Sequence, residues 1–110
     1  MEFVSGNIFV REIRFDQAGA SIEGHTHNFD HTTYVTKGRV RIEALNPDGT
    51  VARTRDLDAA EGQNWCLIKA AVKHQLTCLS PTAVAHCIYA HRNPQGEVVQ
   101  EYDGWTPGYM

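Results

Sequence analysis

Residues 19–38 read GASIEGHTHNFDHTTYVTKG and hold three of the six histidines in the chain. His25, His27 and His31 fall within seven residues. On a strand, His25 and His27 point to the same face with their Cα atoms about 6.6–7 Å apart. Two imidazoles at this spacing can bind one ion at about 2.0–2.2 Å per bond. The stretch therefore predicts a metal site on a β-strand framework.

The ligand set needs more than one strand, because a single flat strand cannot surround an ion. Asn28, Phe29 and Asp30 can turn the chain so that His31 approaches from a neighbouring strand, and His74 can close the site from another. The alternative is an exposed polar loop in which Asn28 and Asp30 only mark a turn. Three histidines in so short a stretch, with a fourth on a distant strand, favour the metal site.

The pattern of turns and apolar residues predicts an all-β chain. Turn-forming residues recur about every ten residues, and no helical apolar stripe runs for more than a turn or two. Short stretches rich in β-branched and aromatic residues lie between the turns, which is typical of an antiparallel sandwich or barrel. The Asn-Pro-Asp-Gly sequence at 46–49 predicts a hairpin. The predicted strands are 8–15, 32–36, 39–45, 50–55, 65–70, 74–79 and 83–91.

Composition limits the classes of function. The 110 residues carry a formal net charge of −3, which argues against nucleic acid or an anionic membrane as the main partner. No apolar run approaches the roughly 18–20 residues of a membrane helix, and the first residues, MEFVSGN, do not resemble a signal peptide. The three cysteines show no CxxC spacing, so neither a disulfide framework nor a zinc ribbon is expected. We expect one cytoplasmic domain spanning residues 1–110.

The histidine-rich stretch resembles the first motif of the cupins, G-x5-H-x-H-x3,4-E-x6-G. The chain matches every spacing from Gly19 to Gly38. The one difference is His31, which stands where the family usually has Glu.

Residues 62–78 resemble the second cupin motif, G-x5-P-x-G-x2-H-x3-N, less closely. The proline and glycine positions hold Ile68 and Ala70, and the final Asn is absent. Lys73 occupies the strict histidine position. We therefore take His74 as the ligand, with one extra residue in the preceding turn.

The resemblance implies a small single-domain cupin, which is a double-stranded β-helix (jelly-roll) barrel with a metal ion inside its mouth. It also implies the ligand set of the four-histidine cupins, here His25, His27, His31 and His74. Four neutral imidazoles leave the full +2 charge on the ion, and six-coordinate geometry leaves two adjacent positions open. A nitrogen-rich set suits Fe, Mn, Ni, Cu or Zn, and the sequence does not choose among them.

These features predict a metal-dependent oxygenase acting on a small oxygenated organic substrate. The two open positions suit one bidentate anion, or one substrate oxygen beside O₂. Two alternatives stay open. The first is a non-catalytic cupin that binds or senses a metal or small molecule. The second is a cupin isomerase or lyase on sugar-type substrates, with His86 or Tyr34 as proton carrier.

His86 and Tyr34 are the candidate catalytic residues outside the ligand set. His86 shares a strand face with Val84 and Ile88, which we expect to point into the core. His86 is then either a base or substrate contact near the ion or a hydrogen-bonded core histidine. Tyr89, on the opposite face, is expected at the surface or in a dimer contact.

Other polar and aromatic side chains each have two interpretations. Phe29 and Trp65, like Tyr34, either line a pocket or pack in the core. Asp30 either orients a ligand imidazole or stabilises a turn. The tail at 101–110 carries three large aromatics and is expected to pack on the barrel or on a second subunit. A small barrel with open edges and such a tail predicts a homodimer.

Overall fold

A computed structural model describes residues 1–100 of the chain and, for residues 24 and 25, the backbone alone. The predicted packing of the aromatic tail at 101–110 lies outside the described residues. Within the described range the strands are β1 Glu2–Ser5, β2 Ile8–Phe15, β3 Ser21–His25, β4 His31–Lys37, β5 Arg39–Leu45, β6 Val51–Asp58, β7 Trp65–Ile68, β8 Lys73–Cys78 and β9 Ala83–Ala90.

The strands form two antiparallel sheets. One has five strands in the order β1-β2-β9-β4-β7, and the other has four in the order β3-β8-β5-β6. Residues 1–100 contain no helix, so the all-β prediction is confirmed. Accordingly, this part of the chain offers no helix that is long and apolar enough to cross a membrane.

A single apolar core lies between the sheets, because alternate side chains on each strand point inward. The five-stranded sheet contributes Val35 and Ala85, and the four-stranded sheet contributes Leu57 and Leu76, all at most 1% exposed. The remaining buried apolar residues are Phe15, Val40, Ile42, Ile68, Cys78 and Ala83.

Strands β5 and β6 sort their charges by face. Val40 and Ile42 point into the core, whereas Arg41 points outward and donates two hydrogen bonds to Asp56, at 2.8 and 3.0 Å. These hydrogen bonds lower the pKa of the Asp56 carboxyl below its ordinary value. Glu43, also on the outer face of β5, accepts a hydrogen bond from Gln75. The acidic side chains of this hairpin therefore point away from the core.

The predicted hairpin at 46–49 is confirmed. The Asn46 amide donates to the Thr50 carbonyl at 2.8 Å, and Gly49 has a φ of 89°. β2 and β5 coincide with the predicted strands, whereas β1 and β3 were not predicted. β3 ends at His25, so the expectation that His27 shares its strand is wrong: His27 lies in the connection to β4.

Gly38 joins β4 to β5 in a turn that no other residue fits. Its φ is 71°, in the left-handed region that favours glycine. A Cβ at this position would collide with the Thr82 carbonyl oxygen and the Ser80 hydroxyl. The close approach holds the β4–β5 turn against the 80–82 turn.

Candidate metal centre and adjoining cleft

Three histidines converge at one end of the core. His27, His31 and His74 each offer one imidazole nitrogen, and these three nitrogens lie within 4.8 Å of one another. The His31 ring centroid is 5.0 Å from each of the other two, and those of His27 and His74 are 5.9 Å apart. The cluster joins the β3–β4 connection, the first residue of β4 and strand β8.

The cluster fits a divalent metal ion. Three nitrogens bound to one ion at about 2.1 Å lie about 3.0–3.6 Å from one another, so a spread of up to 4.8 Å closes with side-chain shifts of about an ångström. His31 and His74 are only 3% and 1% exposed, and His27 is half-buried. An all-imidazole donor set suits a transition metal rather than Mg²⁺ or Ca²⁺.

One hydrogen bond fixes the ring orientation of His74. Its Nδ1 donates to the Val72 carbonyl oxygen at 3.0 Å, since a carbonyl can only accept. In the neutral imidazole, Nε2 then carries the lone pair, which is the form that coordinates metals.

Two further hydrogen bonds tie together the segments that carry the histidines. The Ala71 amide donates to the His27 carbonyl at 2.7 Å, and the Ala70 amide donates to the Asp30 carboxylate at 2.7 Å. Of the two interpretations of Asp30, the structure shows the turn-stabilising one: its carboxylate holds the 69–72 turn beside the cluster. His31 also pairs in register with Ile68 at the end of β7.

The 69–72 turn shows why His74 points inward. Ala71 has a φ of 66° and is the one non-glycine residue with a left-handed backbone in the described range. Counted back from His74, Ala71 occupies the glycine position of the second cupin motif. An extra residue in the turn thus moves Lys73 to the surface and His74 into the core.

His25 completes the predicted ligand set at the level of the backbone only. It pairs in register with His74 across β3 and β8, and its side chain lies outside what the structure describes. His25 therefore stays a predicted ligand.

Tyr89 lies beside the cluster, contrary to the prediction that it faces away from the core. Its ring centroid is 6.1 Å from that of His27 and 6.2 Å from that of His31. Phe9 and Phe29 pack on it, each at 4.7 Å. Partial burial raises the pKa of the Tyr89 phenol, so it stays protonated at neutral pH.

The inward and outward faces that were predicted for β9 are reversed in the structure. The prediction was wrong because both faces of this strand carry apolar residues. Ala83 and Ala85 are buried, and Tyr89 has their parity. Ile88 is 37% exposed. Because the inner face carries small alanines while the outer face carries Val84 and Ile88, the sequence offers no signal that marks Tyr89 as inward.

The outer face of the five-stranded sheet holds both candidate catalytic residues. Tyr34 pairs in register with His86, and Tyr34 is 39% exposed. The His86 Nε2 and the Thr36 hydroxyl form a hydrogen bond of 3.1 Å. The sheet therefore separates this pair from the three-histidine cluster.

A cleft of about 610 Å³ opens beside His74, a size typical of small-molecule sites. It lies between β6 and β7, each of which is an edge strand of its sheet. Ile42, Ile68 and Val72 give it apolar walls. Trp65 also lines it, which agrees with the first of the two interpretations of this residue, a pocket lining rather than a core residue. Its cationic lining residues are Arg53, Arg55 and Lys69.

Comparison with known proteins gives a likeness at the level of structure. No family model matches the chain, and no curated protein matches its sequence. A solved oxalate decarboxylase of Lactobacillus farciminis, as a formate complex, superposes with a TM-score of 0.63 at 18% identity, covering 79% of this chain and 24% of that one. A cupin-2 domain protein of Shewanella frigidimarina gives 0.59 at 14% identity, over 77% and 72% of the two chains.

A third likeness concerns an enzyme with manganese. A Bacillus subtilis oxalate decarboxylase described with Mn(II) centres gives a TM-score of 0.65 at 18% identity, over 87% of this chain and 24% of that one. This chain thus spans about a quarter of the decarboxylases. At such identities the likeness concerns the fold, and together with the two antiparallel sheets it confirms the expectation from the motifs: the chain has the cupin jelly-roll fold.

Proposed function

We propose that the chain is a metal-dependent oxygenase acting on a small oxygenated organic substrate. His25, His27, His31 and His74 hold one divalent transition metal. The convergence of the last three side chains and the backbone register of His25 with His74 support this proposal.

The residues around the cluster divide the work. When bound, the ion supplies a Lewis acid that polarises a substrate oxygen. His74 is held in its coordinating tautomer by the Val72 carbonyl. Phe29 stacks on the His27 ring with centroids 4.9 Å apart, and with Tyr89 it forms an apolar wall that limits water beside the site.

A second candidate is a metal-dependent lyase that needs no O₂. The cationic cleft beside His74 favours it, and two of the structural likenesses are to oxalate decarboxylases. The third possibility is a cupin that binds a metal or small molecule without turnover. The cytoplasm suits any of the three, since all three cysteines are free thiols.

Metal analysis tests the ligand set. We expect one ion per chain in protein loaded with Fe, Mn, Ni, Cu or Zn in turn and measured by elemental analysis. His27→Ala and His74→Ala should each abolish stoichiometric binding, and His25→Ala should weaken it, because each removes one imidazole from the set. His86→Ala is the matched control and should keep the ion. Stoichiometric metal in His27→Ala would contradict this site.

Oxygen dependence separates the candidate functions. Protein loaded anaerobically with Fe(II) is expected to consume O₂ with at least one member of a panel of diketones, catechols and flavonols. Turnover under strict anaerobiosis would favour the lyase instead. Metal-replete protein that binds panel members without turning any over would favour the non-catalytic function.

We also propose that two copies pair through the outer face of the five-stranded sheet. Phe3, Val10 and Ile88 lie in one cross-strand row on this face, and Phe3 is 46% exposed. The charged neighbours Glu12 and Arg14 form an ion pair with each other, so their charges balance beside this apolar row.

A further inference from the structure

The cleft beside His74 carries cations on the inner face of a strand. In β6 the inward face carries Leu57, which is fully buried, and with it Arg55 and Arg53, because every second residue of a strand points to the same face. Arg55 is in register with core residue Ile42, and Arg53 is in register with Ala44. These two positions continue the core row, where apolar side chains are the rule. The edge position of β6 opens this end of the row to the cleft.

A cross-strand row connects these arginines to the histidine cluster. Ala44 pairs with His74 on one side and with Arg53 on the other. Neighbouring strands lie about 4.8 Å apart, so the Cα atoms of His74 and Arg53 are roughly 10 Å apart, with only a small alanine between them. His74 and Arg53 both line the cleft.

The charged side chains that line the cleft are all cationic. Arg53, Arg55 and Lys69 line it, and none of its lining residues in the described part of the chain is acidic. Among residues 1–100, no side-chain hydrogen bond or ion pair is found for any of these three cations, in contrast to Arg41, which is matched by Asp56 on the outer face. Unpaired cations converging on a concave site attract anions.

The rest of the lining describes the body of the ligand. Ile68 and Val72 supply aliphatic walls, and Trp65 and Leu67, 53% and 51% exposed, stand at the rim. This lining suits an apolar or aromatic body. The cations suit a carboxylate, which arginine can bind through two parallel hydrogen bonds.

We propose that the cleft binds a small organic acid whose carboxylate is held by Arg53, Arg55 and Lys69, while its other end points toward His74. The assignment rests on the proposed function, since that other end would meet the metal site. It names carboxylic acids with an apolar or aromatic body as the substrate class. The anion subsite itself is made by the chain alone and is testable without metal.

Calorimetric titration of metal-free protein with benzoate and with benzamide tests the subsite. Benzoate should bind at least about tenfold more tightly than its uncharged isostere, which corresponds to one good charge-assisted contact. The difference should shrink as salt is added, because the cations are exposed. Equal affinities, or no binding of either compound, would overturn the proposal. So would tighter binding of phenyl phosphate, which would assign the cations to phosphate.

Charge-removing variants locate the anion. Arg53→Gln combined with Arg55→Gln should reduce the benzoate preference to less than about threefold, whereas Arg53→Lys should keep most of it. Arg14→Gln, on the outer face of β2, removes one exposed cation elsewhere and should leave the preference unchanged. An equal loss in Arg14→Gln would show that overall charge, not the cleft, attracts benzoate.

Protection from chemical modification gives a measurement on the unaltered chain. Benzoate should slow the reaction of Arg53 and Arg55 with phenylglyoxal, measured by mass spectrometry, without slowing that of Arg14. Unprotected Arg53 and Arg55 at saturating benzoate would overturn the assignment. If benzoate protects these arginines but the chain binds no metal, the anion subsite is supported and the proposed metal-dependent function is refuted.

Discussion

His74 joins two roles at the scale of a single residue. Its Nδ1 donates to the Val72 carbonyl, which leaves Nε2 as the nitrogen that it can offer to the cluster of imidazoles. Each role belongs to a different ring atom. Substitutions that keep one and remove the other therefore separate folding from metal binding.

We expect His74→Asn to keep a stable fold and lose the metal. The asparagine amide can replace Nδ1 as donor to Val72 but offers no imidazole Nε2. His74→Leu should lose the metal as well, and its metal-free form should be less stable than that of His74→Asn by roughly 1 kcal/mol, since the carbonyl loses its donor. Urea unfolding of the metal-free proteins measures the difference in stability, and elemental analysis measures the loss of metal. Metal retained by His74→Asn would remove His74 from the ligand set.

The sequence predicted individual residues unevenly, for physical reasons. The clustering of His27 and His31 could be predicted because candidate metal ligands are recognisable by their residue type and spacing. Tyr89 was missed because β9 is a central strand with apolar residues on both faces, so its pattern does not reveal which face is inward. The left-handed backbone of Ala71 was hidden because the residue is not glycine.

At the scale of elements, turns fix how the strands meet. Gly38 and Gly49 both have a positive φ, 71° and 89°. Gly38 lies between β4 and β5, and Gly49 lies in the turn between β5 and β6. A Cβ at Gly49 would meet nothing within 4 Å, whereas one at Gly38 would collide with Thr82 and Ser80. Substitutions at the two glycines therefore distinguish two costs: both introduce backbone strain, but only the one at Gly38 adds a steric collision.

Gly38→Ala should destabilise the chain more than Gly49→Ala. Both substitutions pay for a left-handed backbone, about 1–2 kcal/mol. Gly38→Ala adds a collision with backbone, which costs roughly a further 1–3 kcal/mol when a packed region must shift. Free energies of unfolding from urea titrations measure the difference. Equal losses in the two variants would show that the 80–82 turn moves aside freely.

Elements with strong local signals were predictable and those without were not. β2 and β5 alternate clearly, and the Asn-Pro-Asp-Gly turn marks its hairpin. β1 was missed because all four of its residues are exposed, so it has no apolar periodicity. β3 contains a register shift between Ile22 and His25 and ends at His25, and such irregular pairing leaves no clear period-two pattern in the sequence.

At the scale of the whole molecule, the sequence predicted two-layer β architecture but not where the sheets stay open. The cleft exists because β6 and β7 are edge strands, and edges depend on strand order rather than on local pattern. Arg53 and Arg55 read as surface charges in the sequence. That they share a strand face with Leu57 becomes informative only when the structure shows that β6 borders the cleft.

The outer face of the five-stranded sheet leads to a prediction about assembly. Ile88 lies in the middle of the apolar row between Val10 and Thr32 and is 37% exposed. A second copy covering this row would remove it from water, which favours association by about 25 cal/mol per Å² of apolar surface. Sedimentation equilibrium should then give twice the chain mass of 12.3 kDa.

Charge placed on that face should separate the two copies. Ile88→Glu would bury two like carboxylates near a two-fold axis, so we expect a monomer with an unchanged fold. Val51→Glu is the matched control, because Val51 is 47% exposed on β6 of the other sheet, and it should stay dimeric. The cleft lies at the β7 edge, away from the β1–β2–β9 part of the sheet, so Ile88→Glu should also retain benzoate binding. A wild-type chain that sediments as a monomer both at full concentration and after 50-fold dilution would contradict the pairing. An Ile88→Glu variant that is as dimeric as the wild type would show that the dimer forms through another face.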